Sequence, residues 1–413
     1  MTIIGSQTRN MKRVNEIVEV FRKYEIEYIT EQSSFFKRLP FRNNNTDERD
    51  LDDTLEIRIR LSMQELGATF IKLGQLLSTR PDLVGSALAD ELSKLQDDNP
   101  PISYETVKEI IERELDDDME NLFAEFDKEA IGSASIGQVH KAKLHNGTEV
   151  AVKVQKPGVE ELVKTDLEIM HFFANRVNQM VRRSRIYNLP VIISEFERSI
   201  KMEIDYRNES SNISHLKNDF KNDKTVYIPN VYNRYTTSKV LTMEFIHGKK
   251  VSDIMQDPED YDPPLIAKRG LDSYIKQILF NGFFHADPHQ GNIMILPDNV
   301  ICYIDMGSMG VMDEDFRQNL AQLFIFIINK DVNGIINQLN YMEITDVGIN
   351  VKDLKYDLNN MLNRYYGAEL DNFSSGVDDL MQLMIKYQVK LPREFVLMAR
   401  GFSLIEDMGM KLD

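Results

Sequence analysis

One stretch restricts the possible folds of this chain more than any other. It is His285-Ala286-Asp287-Pro288-His289-Gln290-Gly291-Asn292, followed by the apolar run 299–304 and then by Asp305-Met306-Gly307. The stretch supplies one candidate catalytic carboxylate, Asp287, and two candidate magnesium ligands, Asn292 and Asp305.

This pattern fits phosphoryl transfer. That reaction needs a carboxylate near the attacking hydroxyl and oxygen ligands for the metal that bridges the phosphates. Asp287 and Asn292 have the Asp-x-x-x-x-Asn spacing of a kinase catalytic loop, and Asp305 takes the place of the Asp in Asp-Phe-Gly. The rival interpretation is a metallohydrolase, because His285, Asp287 and His289 alternate as ligands on a strand would. The sequence has no other His-rich cluster to complete such a site, which favours the kinase interpretation.

Composition limits the remaining function classes. A chain of 413 residues with 42% apolar content exceeds the usual size of one domain, so two or three packed units are expected. A net charge of −17 argues against broad binding to nucleic acid. Cys302 is the only cysteine, which excludes a disulfide within the chain and favours a reducing compartment and a core position. We find neither a membrane-spanning apolar run nor a signal peptide.

The first segment is basic, although the whole chain is acidic. Ile17, Phe21, Tyr24 and Tyr28 follow a helical period within residues 9–28. Such a helix suits either the interface of an anionic membrane or the surface of the protein body, and the sequence leaves both open. The Asn-rich segment 41–53 is typical of a linker.

A second helix is predicted over residues 55–78. Gly67 and Gly74 within it suggest a face that another backbone approaches closely. Lys72 and Gln75 lie on one side of this helix, where they either face solvent or enter an active site. Pro81 ends the helix, and a further helix is expected from about Ser103.

A strand-rich segment follows from Ala130. Residues 130–140 occupy the place of a phosphate loop, but Gln138 and Val139 replace the Lys-Ser/Thr of a Walker motif, which excludes a P-loop. A turn at 145–147 leads into a strand at 149–154 that carries Lys153. A lysine in such a strand pairs with the α- and β-phosphates in kinases and needs a glutamate partner. Four candidate partners remain open on the residues alone: Glu161, Glu168, Glu203 and Glu209.

The chain then follows the order of a kinase. The strand 239–246 suits a hinge, where backbone groups of Glu244 to Ile246 are expected to hold an adenine edge. A helix at 269–281 leads into the catalytic loop. Only a few residues separate Asp305 from Asp313, the predicted N-cap of a helix that starts at Glu314. Without a long activation segment, a small-molecule or lipid substrate, or plain ATP hydrolysis, is favoured over a peptide. Helices are expected from there on, with Ile325, Ile327 and Ile328 in the core.

Four motifs together resemble the UbiB-like, or AarF-domain, atypical kinases linked to ubiquinone and isoprenoid-lipid metabolism. Lys72-Leu73-Gly74-Gln75 is similar to the family's Lys-x-Gly-Gln motif, and 134–140 to its alanine-rich loop ending in Gln-Val-His. Glu203-Ile204-Asp205 resembles its Glu-x-Asp motif, and Asp287, Asn292 and Asp305 match its catalytic-loop and metal positions. The resemblance covers most of the chain.

The resemblance implies an α+β, two-lobed protein-kinase-like fold with an N-terminal helical extension packed over the nucleotide cleft. The extension would span residues 1–125, the N-lobe with its helical insertion 126–246, and the helical C-lobe 247–413. The resemblance also implies that Lys72 and Gln75 lie over the nucleotide cleft and restrict access to it, and that Glu203 pairs with Lys153. It further implies that Ala134, Ser135 and Gln138 contact the nucleotide. Family members usually have alanines at Gly132 and Ser133 and a Phe at Met306, so preference for ATP over ADP does not carry over.

The function implied is an Mg²⁺- and ATP-dependent atypical kinase or ATPase that acts on a small molecule or lipid. Expected partners are a membrane lipid or isoprenoid-quinone precursor and proteins of quinone biosynthesis, and both a monomer and a homodimer are compatible with the sequence. A cytoplasmic, peripheral membrane protein is expected, or one anchored by a segment beyond Leu412-Asp413, where members commonly continue. The alternatives are an ATP-driven switch that extracts or presents lipid precursors and, less favoured, a protein kinase acting in trans.

Overall fold

A computed structural model describes residues 2–26, 53–95, 99–180, 189–258, 260–342, 350–364, 373–387 and 392–412. The predicted linker at 41–53, apart from Asp53, and Tyr28 lie outside these residues. The helices are α1 Thr2–Lys23, α2 Leu55–Leu66, α3 Ala68–Ser78, α4 Pro81–Val84, α5 Ser86–Leu92, α6 Tyr104–Leu115, α7 Met119–Leu122, α8 Val159–Met180, α9 Leu189–Glu203, α10 Tyr206–Asp219, α11 Val251–Gln256, α12 Pro263–Ile275, α13 Glu314–Ile328, α14 Val332–Tyr341, α15 Val351–Arg364, α16 Phe373–Lys386 and α17 Arg393–Leu412. The strands are β1 Glu125–Phe126, β2 Gly132–Ser133, β3 Gly137–Lys143, β4 Glu149–Gln155, β5 Val226–Tyr227, β6 Val240–Glu244, β7 Lys249–Lys250, β8 Phe283–His285, β9 Ile293–Leu296, β10 Val300–Tyr303 and β11 Met309–Val311.

The chain divides into two compact units. The first comprises Met1–Tyr206 and Tyr235–Leu241, and the second comprises Arg207–Arg234 and Thr242–Asp413. The predicted division at 125/126 and 246/247 stays a prediction.

The first unit is built on a sheet in the order β1-β3-β4-β6, with β2 paired to β3. Strands β3 and β4 form the predicted hairpin, in which Val139 is opposite Lys153. Its turn needs Gly147, whose φ is +86°, because residues other than glycine rarely adopt that conformation. Val150, Val152 and Val154 are fully buried, so they anchor β4 and leave the half-buried Lys153 on its opposite side.

The N-terminal helices pack inside the first unit. Val14, Ile17, Val18 and Val20 of α1 belong to a core cluster that also includes residues of α2, α3, α5, α8 and α9. Of the two alternatives that the sequence left open for the first helix, the structure therefore supports packing on the body, because the apolar face is covered by protein. No helix in the described part of the chain is long and apolar enough to cross a bilayer.

A buried ion pair joins three of these helices. Arg13 on α1 donates to both carboxylate oxygens of Asp166 on α8, at 2.7 and 3.0 Å. The same guanidinium donates to the carbonyl of Leu66, the last residue of α2, at 2.8 Å. Arg13 is 8% exposed and Asp166 is fully buried, so this contact holds α1 and α8 against the end of α2.

The predicted continuous helix over 55–78 is wrong at Gly67. The φ of Gly67 is +89°, and it separates α2 from α3. A Cβ added at Gly74 would lie 2.3 Å from Leu95 Cδ1. The close approach at Gly74 is therefore made by a side chain, not by another backbone as predicted.

The second unit contains a sheet in the order β5-β10-β9-β7 and a separate pair, β8 with β11. Helix α12 continues as a π-helical turn, Lys276–Asn281, which ends at Gly282.

The core predictions for the second unit have mixed outcomes. Cys302 on β10 is fully buried, and burial raises the pKa of its thiol to about 12, which confirms its predicted core position. Ile325 and Ile328 are 49% and 77% exposed, so the core prediction is wrong for both. Leu320 and Leu323 form the buried face of α13 instead.

Candidate functional site

In the first unit, a tight loop connects β2 to β3 at the predicted phosphate-binding position. The N–H of Ala134 donates to the carbonyl of Gly137 at 2.8 Å. Ser135 is buried and Ala134 is half-buried. A Cβ at Gly137 would lie 2.1 Å from the hydroxyl oxygen of the buried Tyr206, so no side chain fits here without displacing Tyr206. The loop has the small residues that a close approach to phosphate requires, and the nucleotide contacts of Ala134 and Ser135 stay predictions.

The side chain of Gln138 is engaged in contacts within the protein, and its predicted role in nucleotide binding stays a prediction. Its side-chain oxygen accepts from the N–H of Ile102 at 2.7 Å, and its amide nitrogen donates to the carbonyl of Ile102 at 3.3 Å. The same nitrogen lies 2.8 Å from His140 Nε2. With 1% of its surface exposed, Gln138 holds the segment before α6 against the sheet.

His140 completes this cluster as a neutral imidazole. Its Nδ1 lies 2.9 Å from the carbonyl of Asp127, which can only accept, so Nδ1 carries the hydrogen. Nε2 is then the acceptor for Gln138. Burial lowers the pKa of His140, in agreement with that protonation state.

The two predicted lysines, Lys153 and Lys72, both have described contacts in the first unit. Lys153 Nζ lies 5.3 Å from the ring centroid of Tyr206, a cation–π contact. Lys72 Nζ lies 2.5 Å from Glu203 Oε1, and the side chains are 16% and 32% exposed. The alternative in which Lys72 faces solvent is therefore wrong. The expected pairing of Glu203 with Lys153 stays a prediction.

A second ion pair accompanies Lys72–Glu203 where α3 and the residues just after it meet α9. Arg80, just after α3, lies 3.5 Å from Glu195. From Lys72 to Arg80 the residue numbers rise, whereas from Glu203 to Glu195 they fall, so α3 and α9 run antiparallel. Gln75 lies between the two pairs and is half-buried.

In the second unit, His285 connects the catalytic loop to the Asp305 loop. His285 Nε2 lies 2.5 Å from the carbonyl of Asp305, so it carries the hydrogen and donates. Its Nδ1 accepts from the N–H of Asp287 at 3.1 Å. Burial lowers the pKa of His285, consistent with a neutral ring. Because both ring nitrogens are engaged, His285 is not placed as a metal ligand, and the metallohydrolase interpretation is wrong.

Asn292 and Asp305 present oxygen atoms that suit Mg²⁺. The side-chain nitrogen of Asn292 donates to the carbonyl of Asp287 at 3.1 Å. This fixes the amide so that Oδ1, which takes part in no described hydrogen bond, is available to a cation. Asp305 Oδ1 accepts from the N–H of Gly307 at 2.9 Å. One carboxylate and one amide oxygen fit Mg²⁺, which usually takes few protein ligands and completes its shell with water and phosphate.

Helix α10 places a further carboxylate beside this loop. Glu209 is 5% exposed, and a Cβ added at Gly307 would lie 3.9 Å from Glu209 Oε2 and 3.1 Å from Asp305 Oδ1. Asn212 Nδ2 donates to the carbonyl of Met306 at 2.9 Å. The sequence predicted Glu209 as a possible partner or neighbour of Lys153, and its place beside Asp305 was not predicted.

Sequence reasoning missed Arg400 on α17. Its Nη2 lies 3.4 Å from Asp287 Oδ1, and the two side chains are 31% and 35% exposed. Arg400 belongs to no motif that the sequence analysis identified. Only its position within a helix of mainly apolar residues sets it apart.

At the hinge, the side chain of Glu244 is held from several directions. It accepts from the Tyr227 hydroxyl at 2.8 and 2.9 Å and from the backbone and side-chain nitrogens of Asn230 at 3.0 and 2.7 Å. Its own N–H donates to the carbonyl of Asn230 at 2.8 Å. These groups of Glu244 are therefore committed to the protein. No described hydrogen bond uses the N–H of Ile246, and the hinge role of Glu244 and Ile246 in adenine binding stays a prediction.

The connection after Asp305 is short, as predicted. It leads into β11, which pairs with β8. Asp313 Oδ1 then accepts from the N–H of Phe316 at 2.7 Å and caps α13 at Glu314. The predicted N-cap is confirmed.

Comparison with known proteins gives consistent matches. The family model described as "ABC1 atypical kinase-like domain" matches residues 94–339. The Arabidopsis thaliana protein named "Protein ACTIVITY OF BC1 COMPLEX KINASE 7, chloroplastic" is 36% identical over 86% of this chain and 52% of its own length. A "Probable protein kinase UbiB" from Actinobacillus pleuropneumoniae is 29% identical over 98% of this chain and 77% of that relative.

The chain spans only 52% to 63% of the length of three curated relatives. Among solved structures, the Rv3197–erythromycin complex from Mycobacterium tuberculosis matches with a TM-score of 0.59 at 24% identity, covering 85% of this chain and 90% of that one. The fold is the α+β, two-lobed, protein-kinase-like fold that the sequence predicted.

Proposed function

Because this chain belongs to the ABC1 atypical kinase-like family, as its motifs predicted, we propose that it is an Mg²⁺-dependent phosphotransferase or ATPase. It would use ATP to act on a small molecule or lipid of isoprenoid-quinone metabolism. The observation that carries this proposal is the bridge through His285. A single neutral imidazole holds the N–H of Asp287 and the carbonyl of Asp305, so the candidate base and a candidate metal ligand keep a fixed relation.

Each residue has a role that follows from its chemistry. Asp287 would accept the proton of the attacking hydroxyl or orient water, a contribution of about 10²- to 10⁴-fold where proton transfer limits the rate. Asn292 and Asp305 would hold Mg²⁺, which neutralises charge on the phosphates. Lys153 would hold phosphate oxygens, as the lysine of this strand does in kinases.

The substrate class follows from the short connection after Asp305. Kinases that act on peptides use an activation segment at this place as a platform, and here Gly307 is followed almost at once by β11 and α13. A small or lipid acceptor therefore fits better than a peptide. Quinone metabolism as the setting rests on the resemblance to the UbiB-like kinases, and a "Probable protein kinase UbiB" is among the relatives. A peripheral place at a membrane surface and a lipid or quinone precursor as partner belong to the same proposal. Both ATP and ADP stay candidate nucleotides, and the turnover assay is run with each.

A second candidate is an ATP-driven switch that extracts or presents lipid precursors and yields no phosphorylated product. The Lys72–Glu203 and Arg80–Glu195 ion pairs favour it, because α3 is attached to α9 through charged contacts that a bound anion would disturb. The two candidates differ in whether a phosphorylated acceptor accumulates.

The test is Mg²⁺-dependent ATP turnover with and without anionic liposomes and a soluble phenolic mimic of a quinone precursor. We expect turnover to rise with lipid or phenol and to vanish in Asp305→Asn. Asp315→Asn, at an exposed position on α13, is the matched control and should behave as wild type. A phosphorylated phenol or lipid would identify a kinase. Phosphate release alone would exclude a kinase acting on these acceptors and would fit an ATPase, including the switch. Background turnover in wild type under every condition, or full turnover in Asp305→Asn, would overturn the proposal.

A further inference from the structure

Helix α17 lies against the base of the catalytic loop. A Cβ added at Gly401 would lie 1.7 Å from the hydroxyl oxygen of Tyr274 and 3.3 Å from the carbonyl of His285. Tyr274 is fully buried, its hydroxyl donates to the carbonyl of Met398 at 3.4 Å, and its ring meets that of Phe402 edge-on at 5.2 Å. These contacts fix both the position and the rotation of α17 beside the loop.

The fixed rotation directs Arg400 at Asp287. Within the catalytic loop, the backbone of Asp287 is already held, because its N–H donates to His285 and its carbonyl accepts from His289 and Asn292. The carboxylate of Asp287, in contrast to its backbone, has a single partner. Among the described residues, the only hydrogen bond or ion pair of this carboxylate is the one with Arg400, at 3.4 Å.

We propose that Arg400 is a positioning residue that orients the carboxylate of Asp287 from the C-terminal helix. The inference rests on the proposed function, and it adds a residue that lies outside the segment 94–339 matched by the family model. Both side chains are about one-third exposed, and ion pairs of that kind contribute little to stability. The effect on rate is larger than the effect on stability, because a displacement of a reacting group by about 1 Å can lower the rate roughly 10²-fold. Loss of Arg400 should therefore lower the rate far more than it destabilises the protein.

The first test separates kcat from binding and folding. We expect Arg400→Ala to lower kcat for ATP turnover by about 10- to 100-fold, with the nucleotide Kd, measured with a fluorescent ATP analogue, and the thermal midpoint unchanged. Arg400→Lys keeps the charge and should recover part of the loss. Lys411→Ala removes the exposed ion pair with Asp407 from the same helix and should match wild type. In an Asp287→Asn background, Arg400→Ala should have no further effect, because the carboxylate it orients is gone.

A second measurement does not depend on turnover. The ¹³C chemical shift of the Asp287 carboxylate, identified in the protein without nucleotide by its loss in Asp287→Asn, should change in Arg400→Ala and be unchanged in Lys411→Ala, because of these two residues only Arg400 contacts that carboxylate. If the wild-type chain shows no turnover but the carboxylate shift still changes in Arg400→Ala, the proposed function is refuted and the positioning role stands. A wild-type kcat together with an unchanged carboxylate shift in Arg400→Ala would overturn the positioning role, whatever the activity of the chain.

Discussion

Replacing Arg13 by alanine tests how the N-terminal helix is attached to the first unit. Arg13 is 8% exposed and makes two short contacts to the fully buried Asp166, at 2.7 and 3.0 Å, and one to the carbonyl of Leu66, at 2.8 Å. The alanine variant leaves a carboxylate in the protein interior without its cation, and it leaves the last carbonyl of α2 without its donor.

The expected cost follows from these contacts. Removing one partner of a buried ion pair destabilises a protein by about 3–5 kcal/mol, because the remaining charge is uncompensated. The cost of losing the hydrogen bond to the Leu66 carbonyl is included in this total of about 3–5 kcal/mol and is not added to it. Since about 1.4 kcal/mol corresponds to a factor of ten, amides that exchange by opening of this unit should exchange roughly 100- to 4,000-fold faster.

Hydrogen exchange with mass spectrometry is the appropriate assay, since a chain of two units need not unfold in one step. Peptides from α1, α2 and α8 report on the contact. Lys23→Ala, which removes an exposed ion pair to Glu65, is the control and should change exchange less than about fivefold. The double variant Arg13→Met with Asp166→Leu should recover most of the protection, because apolar residues replace the pair without a stranded charge. If Arg13→Ala exchanges no faster than the Lys23 control, the pair does not hold these helices together.

Two further predictions concern packing and protonation. Gly401→Ala should lower the free energy of unfolding of the second unit by about 1–3 kcal/mol through overlap with Tyr274, whereas Gly409→Ala on the same helix, whose nearest neighbour would be at 3.7 Å, should not. Equal thermal midpoints for the two variants would contradict the packing described. Burial lowers the pKa of His140 in the folded chain, so the unfolded chain binds the extra proton, and stability should be full above about pH 6.5 and fall below it. His140→Gln should make the fall in urea midpoint between pH 7.5 and 5.5 shallower, and an identical pH dependence would refute this role for His140.

Local sequence signals predicted the parts of the fold that depend on a few neighbouring residues. Asp313 is the N-cap of α13 because a short acidic side chain stands just before the helical period, and Gly147 forms a turn because its φ is positive. The catalytic-loop motif could likewise be recognised from the sequence, because Asp287 and Asn292 lie only five positions apart.

What the sequence could not supply were pairings between distant segments. Gln138 matches a family motif, yet its amide is taken by Ile102. Arg400 reaches Asp287 across 113 positions of chain. No periodicity or spacing encodes such a contact, because it depends on how helices pack.

The division of the chain into units has a consequence for inheritance. The first unit is closed by Tyr235–Leu241, which follows a segment, Arg207–Arg234, that belongs to the second. The two parts are thus interleaved along the gene, and no single crossover point separates them. A cut at 206/207 deprives the first unit of the start of β6, and a cut at 241/242 deprives the second of α10. A single crossover therefore cannot exchange one unit intact, and ribosomal synthesis must release residues of the second unit before the sheet of the first can be completed.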